Sequence, residues 1–459
     1  MRAKLLGKTL NSRELNSRIR PLRFLDNHTN LFYLAADYLT LAVILTAAIG
    51  SCHLRPQWGL SWLWNVPVVI VTVLLVGAVQ HRFAGLAHEG AHYILLKNRF
   101  FNELVSDLFC MFPLFSTTAQ YRQIHLGHHE YTNDWQRDPE LLNLGQTRMM
   151  DRFPMTRGQF VTQFFARIFW PPKLLRYMWD NIYVTTLGNG VHPYLKKSAG
   201  KPRGRIGTVR ITSLLGVAYL VAIVLAMGYL SWHGNWTLLV VTPLAFWLAA
   251  AGLVRTLPDD WFFQSQLRPV HSAKLTSNLR LGWITGLECV LAWSRYATGV
   301  EWGVYFWLFW LLPLFTSFPY YMLLRDLYQH ANADDGKLTN SRVMFTNPLV
   351  RWAMFIYGQD IHLTHHLYPA VPHYNLRKLH RLLVDNSPEY AKHVVECHGM
   401  LWNTNGKPTL LDCMELPTRE PAPFVPPQPS AAPATALAVL PSNLPSPLSL
   451  RAYESTGGI

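Results

Sequence analysis

Residues 281–297 read LGWITGLECVLAWSRYA, and the number of times the chain crosses a bilayer turns on them. The run is apolar apart from Glu288 and Arg295. Five stronger apolar runs flank it, at about residues 31–51, 63–83, 211–230, 236–254 and 303–324, each close to the ~20 residues a helix needs to cross a hydrocarbon core. With five crossings, the histidine clusters before Ile211 and the one after Leu324 fall on opposite faces. Counting 281–297 as a crossing puts them on one face. The charges support that count, because Arg255, Arg268, Lys274 and Arg280 precede the run while the loop 298–302 after it holds only Glu301, and basic residues stay on the cytoplasmic side. The expectation is an all-α, multi-pass membrane helical bundle of four to six spans, six favoured.

The composition agrees. Half of the 459 residues are hydrophobic and only 15% are charged, against roughly a quarter in soluble domains. The net charge of +14 does not point to nucleic acid, since the basic residues flank apolar runs and no nucleic-acid-binding motif is present. Residues 1–30 form a basic segment with Arg2, Lys4, Lys8, Arg13, Arg18, Arg20 and Arg23 but no apolar core, which argues against a signal peptide and for a cytoplasmic terminus. One basic residue, Arg55, lies in the loop after the first run. About 125 residues between the second and third runs carry many charges and are expected to form a cytoplasmic helical lobe. Within it, 100–115 and 159–178 mix aromatics with sparse charge, which suits interfacial helices or core helices of the lobe equally. Residues 31–415 are taken as one catalytic domain. From 416 to 459 the chain is rich in Pro, Ala and Ser, a composition expected to stay disordered. Cys52, Cys110, Cys289, Cys397 and Cys413 lie far apart with no CxxC pair, so electrons are expected from another protein.

Of 19 histidines, eight fall in three clusters: His88 and His92 in HEGAH, His125, His128 and His129 in HLGHH, and His362, His365 and His366 in HLTHH. Spacings of three and four place side chains on one helix face, so each cluster can present imidazoles to a common point. Eight or nine imidazoles suffice for two metals with positions left open. Packing alone does not call for adjacent histidines twice. His28, His53, His233, His393 and His398 read as polar caps or interfacial side chains, and His81 as a structural residue. Glu89 reads either as a proton acceptor or as a surface carboxylate.

HEGAH, HLGHHEYTND and HLTHHLYP together resemble the three-box signature of membrane fatty acid desaturases and related hydroxylases, from about residue 80 to 382. The resemblance includes Arg122 before the second box, Asn133, Asp138 and Pro139 after it, and Pro372, Tyr374, Asn375, Leu376 and His380 after the third. It implies a di-iron centre using molecular oxygen, with His88, His92, His125, His128, His129, His362, His365 and His366 as ligands. The family places a further histidine after its last span, here His330 in RDLYQH. Asp326, one turn earlier, Asp138 and Asp360 are candidates for orienting the ligands, and an aspartate capping the end of a membrane helix is the plainer reading of Asp326. The third box departs from the frequent NxHLEHH pattern at Asp360, Ile361 and Thr364, which leaves the ligands but changes their surroundings. The absence of HPGG and the presence of His362 disfavour the front-end subclass.

The implied reaction is oxygen-dependent desaturation of an acyl lipid, with two iron ions as cofactor, a lipid or acyl substrate in the membrane, and a separate electron donor of the ferredoxin, rubredoxin or cytochrome b5 type. Iron rests on the resemblance, since zinc fits imidazoles equally well but lacks redox chemistry. A membrane hydroxylase or ketolase acting on a carotenoid, an alkane or another lipid is the alternative, although the LQRHSDHH box usual in alkane hydroxylases is missing. A non-catalytic metal transporter fits less well, because transport sites sit near the bilayer midplane and these clusters lie beyond the span ends.

Overall fold

Asp26 starts the first long helix. Its carboxylate accepts from the backbone of His28 and Thr29, both at 2.9 Å, and from the Thr29 hydroxyl, satisfying donors that a helix start leaves open. The computed structural model describes residues 10, 12–143, 153–166, 171–183, 193–194, 208–402 and 406–415. The tail expected from 416 lies outside them.

Helix α1 (Thr29–Leu54) and α2 (Asn65–Ala91) are antiparallel neighbours, and α3 (Thr118–Tyr131) follows two short helical segments. Next come α4 (Thr208–His233), α5 (Trp236–Thr256), α6 (Ala273–Thr298) and α7 (Ser317–His330). Strand β1 (Val343–Phe345), α8 (His362–Leu367), α9 (His373–Asn386), β2 (Glu396–His398) and α10 (Leu410–Glu415) complete the chain. The two strands pair in parallel and are the only sheet among the described residues.

Five helical stretches are long and apolar enough to cross a membrane: Thr29–Leu54, Trp62–Ala91, Ile211–His233, Trp236–Thr256 and Trp302–His330. Their outer faces are apolar, with Val43 60%, Leu225 67% and Leu248 56% exposed, as lipid contact requires. The 281–297 run lies in α6, which is less apolar. Ser272 caps its start and Gly299, at φ 69°, ends it in the left-handed conformation that glycine takes at no steric cost. Its 26 residues span about 39 Å at 1.5 Å per residue. Tyr219 to Thr285, Ser231 to Arg295, Leu239 to Trp293 and Arg255 to Lys274 are all hydrogen-bonded pairs, so α6 lies parallel to α4 and antiparallel to α5 along most of its length.

Helix α2 runs on past the apolar stretch through residues 84–91, which contain no proline and whose Gly85 and Gly90 are packed against Ile356 and Ser106, so the first box is the end of a spanning helix. The histidine boxes are expected from sequence on a cytoplasmic lobe; His88 instead lies on α2, and His330 on α7. These two helices run parallel at very close approach. The Ser317 hydroxyl donates to the Val73 carbonyl at 2.6 Å, and the Arg325 guanidinium reaches the His81 ring at 3.2 Å. In the lobe, Phe160 and Phe164 pack against Tyr328 in the core while Leu175 and Trp179 stay exposed. Among the described residues, 159–166 thus contribute to the core and 171–181 carry exposed apolar side chains. The cysteines are not all apart in space, since Cys397 and Cys413 meet.

At Gly77, any Cβ would collide with the Ser317 side chain and come within 2.8 Å of the Phe318 backbone nitrogen, whereas at Gly50 it meets nothing within 4 Å. Gly77→Ala should destabilise the detergent-solubilised protein by about 1–3 kcal/mol, and Gly50→Ala should not. A thermal midpoint for Gly77→Ala equal to that of the parent would contradict the α2–α7 packing.

Candidate metal centre

Each HxxHH run is helical, and residues one apart on a helix point about 100° apart. The doubled histidine of α3 therefore sends His125 and His129 one way and His128 another. On α8 the same pattern separates His365 from His362 and His366. The result is two groups: His88, His92, His125, His129 and His365, and His128, His330, His362 and His366, with the ligand atoms inside each group within 4.8 Å of one another. All nine sequence candidates are in these groups.

Three elements set the frame. Thr117 caps α3, whose first turn is also held by Asp107, which accepts from the Thr118 backbone at 2.7 Å. Arg122 ties box to box: it donates to the carbonyls of Ala91 and Gly90 at 2.9 and 3.0 Å and pairs with buried Glu103. It thus closes the carbonyl end of α2, where a cation is favoured. Asn133, at φ 62°, ends α3 and sends its amide to the carbonyls of Asp334 and Asn340, both at 2.9 Å.

The hydrogen bonds decide which ring nitrogens carry lone pairs. The Nδ1 of His330 lies 3.0 Å from the Asn340 carbonyl, which can only accept, so Nδ1 is protonated and Nε2 is free to ligate. Asp138 likewise holds a proton on Nδ1 of His128, at 2.9 Å. The Thr132 hydroxyl donates to the His128 carbonyl and so accepts from His366 Nδ1 at 3.1 Å. Two of these lone pairs, on His330 and His366, face the Nε2 of His362 at 2.9 and 3.1 Å. A neutral His362 has one proton to offer and cannot answer both; a cation can. In the other group His125 Nε2 stands 2.8 Å from His92 Nε2 and 3.0 Å from His129 Nε2, and His129 Nε2 lies 3.1 Å from His365 Nε2. The donor set fits metal ions.

Burial and the neighbouring imidazoles hold His92, His125, His129, His362, His365 and His366 well below the usual histidine pKa, which keeps them in the neutral form that metals need. Burial acts the same way on His128, but the carboxylates of Asp138 and Glu140 outweigh it and push its pKa up to about 9.

The other candidates are placed as follows. Asp326 pairs with Arg325 at 3.1 Å, and Arg325 also reaches His81; the acceptor that orients His330 is the Asn340 carbonyl. Asp360 is held by Arg377 and Arg351 and fixes β1 through its carbonyl, which accepts from Met344 at 2.7 Å. Glu89 is buried, not at the surface, and accepts from the His373 backbone at 3.0 Å. His81 is structural, bridging Ala353 and Arg325. Thr132 and Asn340 were not evident from sequence. A hydroxyl one turn after His128 was a weak signal, and a backbone carbonyl gives none.

A family model described as fatty acid desaturase matches residues 64–290 and 261–397. A protein of Bradyrhizobium elkanii called dihydrorhizobitoxine desaturase is 28% identical over 408 residues, covering 87% of this chain and 88% of its own length.

Replacing Asp138 by Asn removes the carboxylate that fixes the His128 tautomer. Metal affinity should fall roughly 10- to 100-fold, measured as metal retained against a graded chelator. Asp360→Asn, at a carboxylate that pairs with Arg377 and Arg351, should retain metal as the parent does; equal retention by both variants would remove the role given to Asp138.

Proposed function

This chain belongs to the fatty acid desaturase family, and on that premise we propose that it is an oxygen-dependent di-iron desaturase that introduces a C=C bond into a membrane lipid or acyl substrate. That it is an integral membrane oxidoreductase follows from the family and the five apolar helices. The observation that carries the finer reading is the convergence of nine imidazoles into two groups, with Nδ1 of His330, His128 and His366 held by oxygens outside those groups. His88, His92, His125, His129 and His365 would hold one iron, and His128, His330, His362 and His366 the other. When bound, the two irons supply the activation of molecular oxygen needed to break an unactivated C–H bond, chemistry beyond acid–base side chains.

The chain's own residues prepare this. Thr132 and the Asn340 carbonyl hold protons on Nδ1 of His366 and His330 and leave each Nε2 unprotonated, while Asp138 holds Nδ1 of His128, whose Nε2 proton a bound metal would displace. Arg122 fixes the end of α2 against α3, so that His88 and His92 keep their distance from His125 and His129. The name of the Bradyrhizobium relative makes its reaction a desaturation, which supports loss of two hydrogens here over insertion of oxygen. An external donor of the ferredoxin, rubredoxin or cytochrome b5 type would deliver the electrons.

For topology, we read α6 as a sixth crossing, alongside α4 and α5, with the metal centre and both termini on the cytoplasmic side. A single cysteine placed in the 298–302 loop should then be labelled from the outside only; labelling from the cytoplasm alone would mean that α6 does not cross and that the topology must be redrawn.

His330 separates the nine-ligand site from an eight-ligand one. His330→Ala should lose bound iron and all detectable product in a host whose lipids are profiled, as should His128→Ala, whereas His393→Ala should keep both. Full iron and full product with His330→Ala would limit the site to the box histidines.

A further inference from the structure

Sixteen positions separate Cys397 from Cys413, yet their sulfurs lie 3.0 Å apart. Cys397 is buried in β2, and Cys413, in α10, is partly exposed. Cys52, Cys110 and Cys289 have no sulfur partner among the described residues. The pair is held from both sides. Backbone bonds join Leu410 to Gly399 and Leu411 to Met400, and Leu410, Leu411 and Met414 pack with Cys397, Met344 and Tyr328 in one core.

The surroundings suit thiol chemistry. Arg342 is buried, with its guanidinium bonded to the carbonyls of Tyr328, Gln329, Ala331 and Asn332, and its charge favours the thiolate at both cysteines. The hydrogen bond from Cys397 lowers the pKa of Cys413, while donating that bond and being buried raise Cys397. The more exposed sulfur is therefore the more nucleophilic one, the arrangement expected of an attacking thiol with a resolving partner beside it.

We propose that Cys397 and Cys413 form a reversible disulfide that clamps α10 onto β2, with hydrogen peroxide as the oxidant. The Cys413 thiolate attacks one peroxide oxygen; an S–O bond forms, the O–O bond breaks, and the departing hydroxide takes a proton to become water. The Cys397 thiolate then attacks the Cys413 sulfenic acid. The S–S bond forms, the S–O bond breaks, and the second hydroxide leaves as water with the remaining proton. Two thiols lose two electrons and two protons, and one peroxide becomes two waters. An added dithiol reverses the change by thiol–disulfide exchange.

The clamp bears on the metal centre through Asn332, two positions beyond His330, whose amide reaches the carbonyls of Cys413 and Met414 at 3.3 Å each. Fixing α10 therefore fixes the end of α7 that presents His330. A cysteine pair of this kind inside a cell is characteristically a redox sensor, not a permanent staple.

The test counts thiols in the full-length protein. It is treated with hydrogen peroxide, alkylated in denaturant and cleaved with trypsin. Because Lys407 precedes Pro408 and resists cleavage, residues 393–419 emerge as one peptide carrying both cysteines. After peroxide this peptide should be two hydrogens lighter and unlabelled, and after dithiothreitol doubly labelled. Cys52→Ser should not alter this, and Cys413→Ser should leave Cys397 labelled. The oxidised parent should also show a higher thermal midpoint than the reduced one, a difference absent in Cys413→Ser. Two labelled cysteines after peroxide, or separate sulfinic acids, would overturn the proposal, and the parent measurement alone decides this even where Cys413→Ser fails to fold.

Discussion

Neutral imidazole offers one lone pair, and nine of them pointed inward repel unless a cation answers them. The rest of this molecule is arranged around that requirement. His88 and His330 reach the site from the ends of two membrane helices, and these must run parallel at nearly the closest distance two backbones allow, which Gly77 against Ser317 provides. The remaining seven come from α3, α8 and the residue just past α2. Each ring that has an assigned tautomer obtains it from an oxygen outside the histidine clusters, so orientation is set before any metal binds.

Charge inside the apolar bundle follows the same logic. A carboxylate or guanidinium at membrane depth is tolerated when paired and directed into the protein. Arg82 meets Asp37 at 2.5 Å and the Tyr357 hydroxyl at 2.8 Å, so a charge on α2 is answered by α1 and by the segment that leads into the third box. Removing one member of a buried pair typically costs about 3–5 kcal/mol, which makes this network a strong constraint on where α8 sits. Arg325, Asp326 and His81 form a second such connection between α2 and α7.

The residues after the third box brace the last histidines through contacts outside the two histidine groups. His373 meets Glu89 and Asn30, Asn375 donates to the Leu22 carbonyl at 2.9 Å, and His380 lies between Tyr390 and Glu396. Tyr390 in turn bonds Thr364 at 2.8 Å, within α8 itself. The amino-terminal segment and the last third of the chain therefore brace one another across α9.

Hydropathy and histidine spacing are local properties, and the sequence alone determined what depends on them: an all-α membrane protein and eight of the histidines that converge, with His330 added by the resemblance. The resemblance to the three-box family also picked out Arg122, Asn133 and Asp138 beside the second box, though not what each one grips. The roles of Asp326, Asp360 and Glu89 were not legible, because a carboxylate's partner is chosen by packing between segments far apart in the chain. Only the tertiary structure divided the histidines into five and four, since that division depends on how helices from both halves of the chain are rotated about their axes. It alone gave the orientation of His330 to the Asn340 carbonyl, an atom every residue possesses, and it alone brought Cys397 to Cys413, because spacing along a chain does not report distance across a fold.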